Sequence, residues 1–340
     1  FFFESSFFYF RFGIFSLAVW YLIDSNKKLI NFFTISLLIT FMIALCDGYS
    51  QYFFNHHLYG LESYHEVRLS LTFDDKMFLG GYLVRMMPLL IGLLIYQINE
   101  TNKKSTYLFI SLILILTDIL IFITGERTAL GLLILTTLFI IFFLRNFRIL
   151  RILTFVISIM LIVLISFLSP EIKTRNVDHT LNQVGITDNS RLVIFSPQHE
   201  SHIFTAYEIF LDNVIFGRGP NTFRHLCNNE KYKYNELSCS THPHQVYVQA
   251  ISEVGILGFI VFLLAPAFLL FLVLRETWSR LYSSSSNISD YQICIIAAIG
   301  ISFWPLLPTL NLFNNWINIV YYLPVGFLLH SLLTKVKKIT

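Results

Sequence analysis

An all-α transmembrane bundle is the fold the sequence predicts, and three observations carry that prediction. Hydrophobic residues make up 55% of the 340-residue chain and charged ones only 13%, against roughly 25% charged in a soluble domain. Apolar stretches near the ~20 residues needed to cross a hydrocarbon core recur along the chain. Basic residues fall in every second gap between those stretches. The expected architecture is a polytopic bundle of about nine spans, with a partly helical extracytoplasmic loop subdomain.

In chain order the apolar stretches run over 7–23, 29–46, 78–97, 106–124, 128–144 and 149–168, then 244–272, 290–310 and 314–334. Each should be a helix, because in lipid every backbone group must be satisfied within its own segment. Residues 1–168 then hold helices one to six, 169–243 a loop subdomain, and 244–340 helices seven to nine. The short gaps carry Lys27, Lys28, Lys103, Lys104, Arg145, Arg148, Arg151, Arg275, Arg280, Lys335, Lys337 and Lys338, twelve of the 24 basic residues. The positive-inside rule makes that side cytoplasmic. The chain opens in an aromatic run, Phe1-Phe2-Phe3, without an initiator Met, and is expected to be a fragment lacking earlier spans.

Two outer segments are long, 47–77 and 169–243. The second, at about 75 residues, exceeds a plain connection. Its Phe, Tyr and His residues recur at helical spacing around 199–212, so a membrane-apposed, partly helical subdomain is expected there. Ser283 to Ser286 belong to a flexible cytoplasmic linker. Cys227 and Cys239 lie 12 positions apart in the long loop, where an oxidising compartment permits a disulfide. Cys46 and Cys294 read as small apolar fillers in or beside spans.

Composition excludes some function classes. The net charge of +3 is spread out, with no Lys/Arg-rich face, so no nucleic-acid partner is expected. The four cysteines lack metal-ligand spacing, and neither metal nor cofactor is expected.

Chemistry is expected at ionisable residues at or inside the membrane. Arg85 lies within the third span. Arg127 stands in the short outer turn Thr124-Gly125-Glu126-Arg127-Thr128-Ala129, held at the membrane surface beside Glu126. Arg11 snorkels at a ragged end. The stretch Thr241-His242-Pro243-His244-Gln245 closes the long loop and opens span seven. A histidine there titrates near working pH and suits a general base; without a nearby carboxylate or third ligand, metal binding is disfavoured. The turn Gly217-Arg218-Gly219-Pro220-Asn221 lets backbone approach a ligand closely, but lacks the Gly-Lys-Ser/Thr end of a Walker loop. Guanidinium groups on one membrane face suit the oxygens of a lipid-linked diphosphate.

At these residues the chain resembles the O-antigen ligase and O-antigen polymerase superfamily. The resemblance rests on Gly217-Arg218-Gly219-Pro220-Asn221-Thr222-Phe223, on His242-Pro243-His244-Gln245, and on Gln249 with Ser252-Glu253-Val254-Gly255-Ile256-Leu257-Gly258. Gln245 stands where the family more often has Asn. Gly125-Glu126-Arg127-Thr128-Ala129 is similar to a family turn with Ser in the Glu126 place. Asn189-Ser190-Arg191-Leu192 is a looser match, and Asp74 to Pro88, with Arg85, is similar to a subgroup pattern.

The resemblance implies a metal-independent, inverting glycosyltransferase. Its donor would be a glycan on undecaprenyl diphosphate, and its acceptor a glycan or lipid A-core. It would work in the bacterial inner membrane with the active site facing the periplasm. By the same match His244 is the catalytic base, with His242 as second choice. Arg127 and Arg191, with Arg85, hold the diphosphate. Arg218 and Arg224, with Gly217 and Gly219, are candidate glycan or loop contacts. The function expected is the polymerase; the alternatives are a ligase acting on lipid A-core and a transporter without glycosyl transfer.

Overall fold

The computed structural model describes residues 9–60, 69–70, 78–101, 104–178, 180, 195–282 and 287–337. Arg191 lies outside the described residues, as do residues 74–77 of the Asp74–Pro88 match and the linker Ser283–Ser286. The chain is all-helical. The main helices are α1 (Arg11–Ser25), α2 (Lys28–Phe54), α3 (Leu79–Thr101), α4 (Lys104–Ile123), α5 (Arg127–Phe143), α6 (Arg148–Leu168), α7 (Pro197–Asp212), α8 (Val246–Tyr282), α9 (Asp290–Gly300) and α10 (Asn315–Lys337). Every apolar stretch of the sequence overlaps one of them. Among the described residues six helices are long and apolar enough to cross a membrane: α2, α3, α4, α6, α8 and α10. Helices α5 and α9 are apolar but shorter, so the expectation of about nine spans is approximate.

The chain divides into two compact units. One comprises Tyr21–Leu192, Ser289–Ile301 and His330–Thr340; the other comprises Phe1–Trp20, Val193–Ile288 and Ser302–Leu329.

In the first unit α3 is the central helix, with Leu83, Val84, Met87, Leu89 and Leu90 all buried. Helix α9 packs along it. A Cβ on Gly92 would lie 2.9 Å from the Cys294 Cβ and 3.2 Å from the Tyr291 carbonyl, so the missing side chain sets the approach of the two backbones. Helices α4 and α6 are joined by an ion pair without exposure to solvent. Arg151 donates to Asp118 at 2.8 and 3.1 Å, Ser158 Oγ donates to the same carboxylate at 3.0 Å, and Thr137 of α5 also meets Arg151. Such a pair needs each lone pair satisfied, or desolvation outweighs attraction. The start of α9 carries a capping box between Ser289 and Gln292. Next to it Asp290 accepts the backbone N–H groups of Arg145 and Asn146, both at 3.0 Å, and so pins the turn between α5 and α6.

Helix α2 ends at Asn55, in the left-handed region with φ 58°. From within the last turns of α2 Asp47 accepts from Gln51 Nε2 and Leu58 N, and pairs with His57 Nδ1 at 3.0 Å. His57 Nε2 meets Ser70 Oγ at 3.2 Å. The order Asp–His–Ser is that of a nucleophile's chain, but Ser70 is buried. Its N–H, the natural oxyanion donor, is already given to Gln51 Oε1 at 3.0 Å. The contact is a fastening. Cys46, expected as an apolar filler, is exposed, whereas Cys294 is buried.

In the second unit the sequence Ser196-Pro197-Gln198-His199-Glu200 starts α7. Ser196 accepts from the His199 N–H, Pro197 takes the first helical position, and Glu200 lies in the positive first turn. The buried face carries Ser201, His202, Thr205, Ala206 and Ile209. Ala206 and Ile209 join Phe223, Cys227 and Tyr232 in a small core. Cys227 and Cys239 form a disulfide with a Cα–Cα distance of 4.9 Å.

Helix α8 covers 37 residues with a break at Gly255, and the part after the break, about 40 Å at 1.5 Å per residue, still exceeds the ~30 Å hydrocarbon core. The sequence placed its end at 272, before Arg275 and Glu276. The helix continues because Glu276, itself buried, accepts from Arg280 Nε at 2.7 Å and from the N–H groups of Asn287 and Ile288 at 2.9 and 3.1 Å.

Candidate active site

Helix α8 is broken near its start. Gly255 takes φ 64° and ψ −174°, so the carbonyls before it and the amides after it lose their intrahelical partners. The segment 214–219 supplies replacements. Arg218 N donates to Ser252 O and Gly219 N to Glu253 O, at 3.3 and 2.7 Å; Ile256 N donates to Val214 O and Leu257 N to Ile215 O, at 2.9 and 3.3 Å. The splice needs two glycines with positive φ. A Cβ on Gly217 (φ 69°) would lie 2.5 Å from the Gly255 nitrogen, and one on Gly255 would lie 2.3 Å from the Ile215 carbonyl. Gly217 and Gly219, candidate glycan or loop contacts in the sequence, thus occupy a backbone joint.

Glu253 completes that joint. Its buried carboxylate accepts from the N–H groups of Asn221 and Phe223, both at 3.0 Å, and from Gln249 Nε2 at 3.1 Å. Gln249 continues to Asn311 Oδ1 at 2.7 Å, and Asn311 Nδ2 donates to Asn221 Oδ1 at 3.2 Å. The loop 217–223, the first turns of α8 and the 301–314 segment are therefore one polar network. Gln245 accepts the Val248 N–H at 2.8 Å and donates to the Pro305 carbonyl at 3.2 Å, serving as the cap of α8. The longer amide does the work a shorter Asn does at a helix start.

On this frame stand four imidazoles. His242 and His244 come from the loop before α8, and His199 and His202 from α7. The His244 ring centroid lies 3.9 Å from His242, 5.2 Å from His199 and 5.5 Å from His202. Sequence analysis picked the first two and missed the α7 pair. The signal was their spacing: His199 and His202, three apart, share a helix face. His244 adopts φ 57°, a conformation uncommon outside glycine, in which strain is a mark of functional positions. Its carbonyl accepts the Thr309 N–H at 2.8 Å, and its Nε2 meets Ser240 Oγ at 3.1 Å. His242 Nε2 faces the Thr309 carbonyl at 3.2 Å, so it carries the proton there, and Nδ1 is left to accept from Thr241 Oγ1 at 2.9 Å. His202 is fully buried. The backbone of Cys239 and Leu237 offsets only part of its burial cost.

Burial disfavours the charged form of three of these rings, His202, His242 and His244. It lowers the His242 pKa to about 4, with Arg224, His202 and His199 adding repulsion against the Thr309 hydrogen bond. It lowers His244 to about 2, with His242, His199 and His202 opposing a second proton nearby. His202 shifts the same way, through burial. Neutral imidazoles can accept a proton. Among the described residues no group of three or more His, Cys, Asp or Glu is placed to hold a metal ion.

Arg224 is exposed, donates to Asn221 Oδ1 at 3.3 Å and is near enough to bias His242. Arg218 is committed elsewhere, pairing with Asp212 and donating to Tyr232 Oη at 3.0 Å.

Arg127 and Arg85 belong to the first unit. Gly125, with φ 69°, turns the chain from α4 into α5, and Arg127 is the first residue of α5. Glu126 accepts the N–H groups of Gly80 and Gly81, at 2.7 and 3.0 Å, and so caps α3. Arg85 Nη1 donates to the Gly81 carbonyl at 2.8 Å. A Cβ on Gly81 would sit 3.3 Å from both Arg85 Nη1 and Glu126 Oε2. A further arginine that the sequence did not single out joins this turn: Arg175 Nε donates to the Gly125 carbonyl at 3.0 Å, and Asn176 Nδ2 to the Phe122 carbonyl at 2.6 Å. Arg85, Arg127 and Arg175 thus surround one turn.

No curated protein matches the chain. A family model described as O-antigen ligase matches residues 109–263, a range that contains Arg127, the glycine splice, Glu253 and all four histidines. Over that range the chain is similar to the O-antigen ligase family, and its long apolar helices are those of a multi-pass membrane protein.

Proposed function

We propose that this protein transfers a glycan from undecaprenyl diphosphate to a sugar hydroxyl at the periplasmic face of the bacterial inner membrane, as a polysaccharide polymerase. The observation that carries the reading is His244: a neutral imidazole in a strained backbone, held by Thr309 and Ser240 and surrounded by three further imidazoles. In the proposed reaction His244 takes the proton of the acceptor hydroxyl. That oxygen attacks the anomeric carbon opposite the diphosphate. The carbon–oxygen bond to the diphosphate breaks with inversion, and undecaprenyl diphosphate leaves with the electron pair.

Arg127, with Arg85, Arg175 and Arg191, would hold the diphosphate. Fixed cations act most where charge grows in the transition state, and arginine stays charged without a metal. His244 alone is a weak base, and efficient bases have pKa values near the working pH.

The description of the matched family favours a second reading, a ligase that moves the finished glycan to lipid A-core. A lipopolysaccharide gel from a strain lacking the gene, with the lipid-carrier pool analysed alongside, separates the two. Core bearing a single repeat unit means polymerase. Bare core with long polymer stranded on the carrier means ligase. An unchanged pattern overturns both.

A further inference from the structure

Helix α7 has a second face. Opposite the buried His202, Thr205 and Ile209, it exposes Phe204, Tyr207 and Leu211 at 46, 53 and 49%, and the segment after it exposes Ile215 and Phe216 at 57 and 70%. The positions 204, 207 and 211 follow helical spacing and line one stripe. Glu208 is exposed beside them, at the edge where an interfacial helix keeps its charges. The ring of Tyr234, itself exposed, stacks on Phe204 at 4.8 Å and widens the patch. Exposed apolar surface this continuous marks contact with a membrane or a partner.

What covers it is set by the splice. The carbonyls of Val214 and Ile215 are bonded to the amides of Ile256 and Leu257 of α8. From there α8 exposes Ile256, Leu257, Ile260, Val261 and Leu264, at 41–67%, on a helix long and apolar enough to span a bilayer. The stripe of α7 therefore begins at the level where the lipid-facing surface of α8 begins. In the disulfide loop the charged Glu236 is exposed, while Lys231 reaches back to pair with Asp212 at the C-terminal end of α7.

We propose that α7 is an interfacial helix, with Phe204, Tyr207, Leu211, Ile215 and Phe216 seated among the lipid chains at the bilayer surface. The occupant is lipid. Aromatic and aliphatic side chains of such helices enter the headgroup–acyl boundary by about 5–10 Å. The same helix carries His199 and His202 on its other side, so lipid contact would fix the height of the imidazole cluster over the membrane. That last step rests on the proposed function; the lipid contact does not.

The test is depth measurement on the full chain in nanodiscs of phosphatidylcholine and phosphatidylglycerol. With Cys46→Ser and Cys294→Ser, and without reductant so that the native disulfide stays, spin labels are placed by Tyr207→Cys and Leu211→Cys. References are Val261→Cys on the spanning helix and Glu236→Cys in the disulfide loop. The proposal expects oxygen to relax the labels at 207 and 211 more than a nickel chelate does, as at 261, with the reverse at 236. Labels at 207 and 211 that respond to nickel as 236 does would overturn it, and leave a water-facing surface. Labels shielded from both reagents would also overturn it, in favour of a second copy of the chain. Because the readout is depth and not transfer, it stands or falls apart from the glycan assay.

Discussion

Gly217 and Gly255 meet backbone to backbone: a Cβ on the first would lie 2.5 Å from the nitrogen of the second, and both residues have positive φ. Their contact joins the two halves of α8 to the loop that feeds the histidine cluster. Gly217→Ala and Gly255→Ala should each cost about 3 kcal/mol or more, since left-handed strain of about 1–2 kcal/mol adds to a clash that backbone cannot relieve. Gly13→Ala meets nothing within 4 Å and lies inside a helix, so it should stay within about 1 kcal/mol of the parent or stabilise. Thermal unfolding in detergent compares them; equal midpoints for all three would refute the splice.

Acid should loosen the histidine unit. His202, His242 and His244 have folded pKa values below the ordinary 6.5, so the unfolded chain binds protons first. The stability they confer is complete above about pH 6.5 and is lost as pH falls toward 4. At pH 5 the ceiling for His242 is about 2 kcal/mol. Unfolding midpoints from pH 7.5 to 5 should fall, and His242→Gln, which keeps a donor for the Thr309 carbonyl, should flatten the fall. A slope unchanged by the substitution would remove His242 from the titration.

For His244 the informative variant is His244→Asn, because asparagine tolerates the left-handed backbone. Normal protein level with no glycan transfer would fit the base role. Transfer at the parental rate would shift that role to His242 or His199.

Arg127→Lys should impair transfer without loss of protein, because a point charge does not reproduce the guanidinium fork. Glu126→Ala should act differently. It removes the acceptor of the Gly80 and Gly81 amides and should lower stability by about 1 kcal/mol, the usual worth of a helix cap. If the two variants show the same phenotype, the turn is structural throughout.

The helices were legible in the sequence because lipid forces long apolar runs, and α7 because its aromatic and histidine residues recur at helical spacing. The reach of α8 was not, since Glu276 satisfies backbone groups contributed by residues 287 and 288, which lie beyond the end of the helix. The glycines were visible as a turn, but only the fold shows that Gly217 and Gly255, far apart in sequence, share a joint. His199 and His202 read as part of a helix but not as site residues, because two histidines on a helix face carry no motif; their meaning depends on a loop some forty positions on.

The buried Asp118–Arg151 pair bears on how the chain is made. Helix α4 enters the bilayer carrying a carboxylate whose cation arrives two helices later, on α6. A lone Asp or Arg near the middle of a span opposes insertion by about 3 kcal/mol on translocon scales. Until synthesis passes α6, the nascent chain holds an unmatched charge in lipid, exposed to quality control. Stable seating of α4 in the bilayer is thereby expected to depend on the arrival of α6.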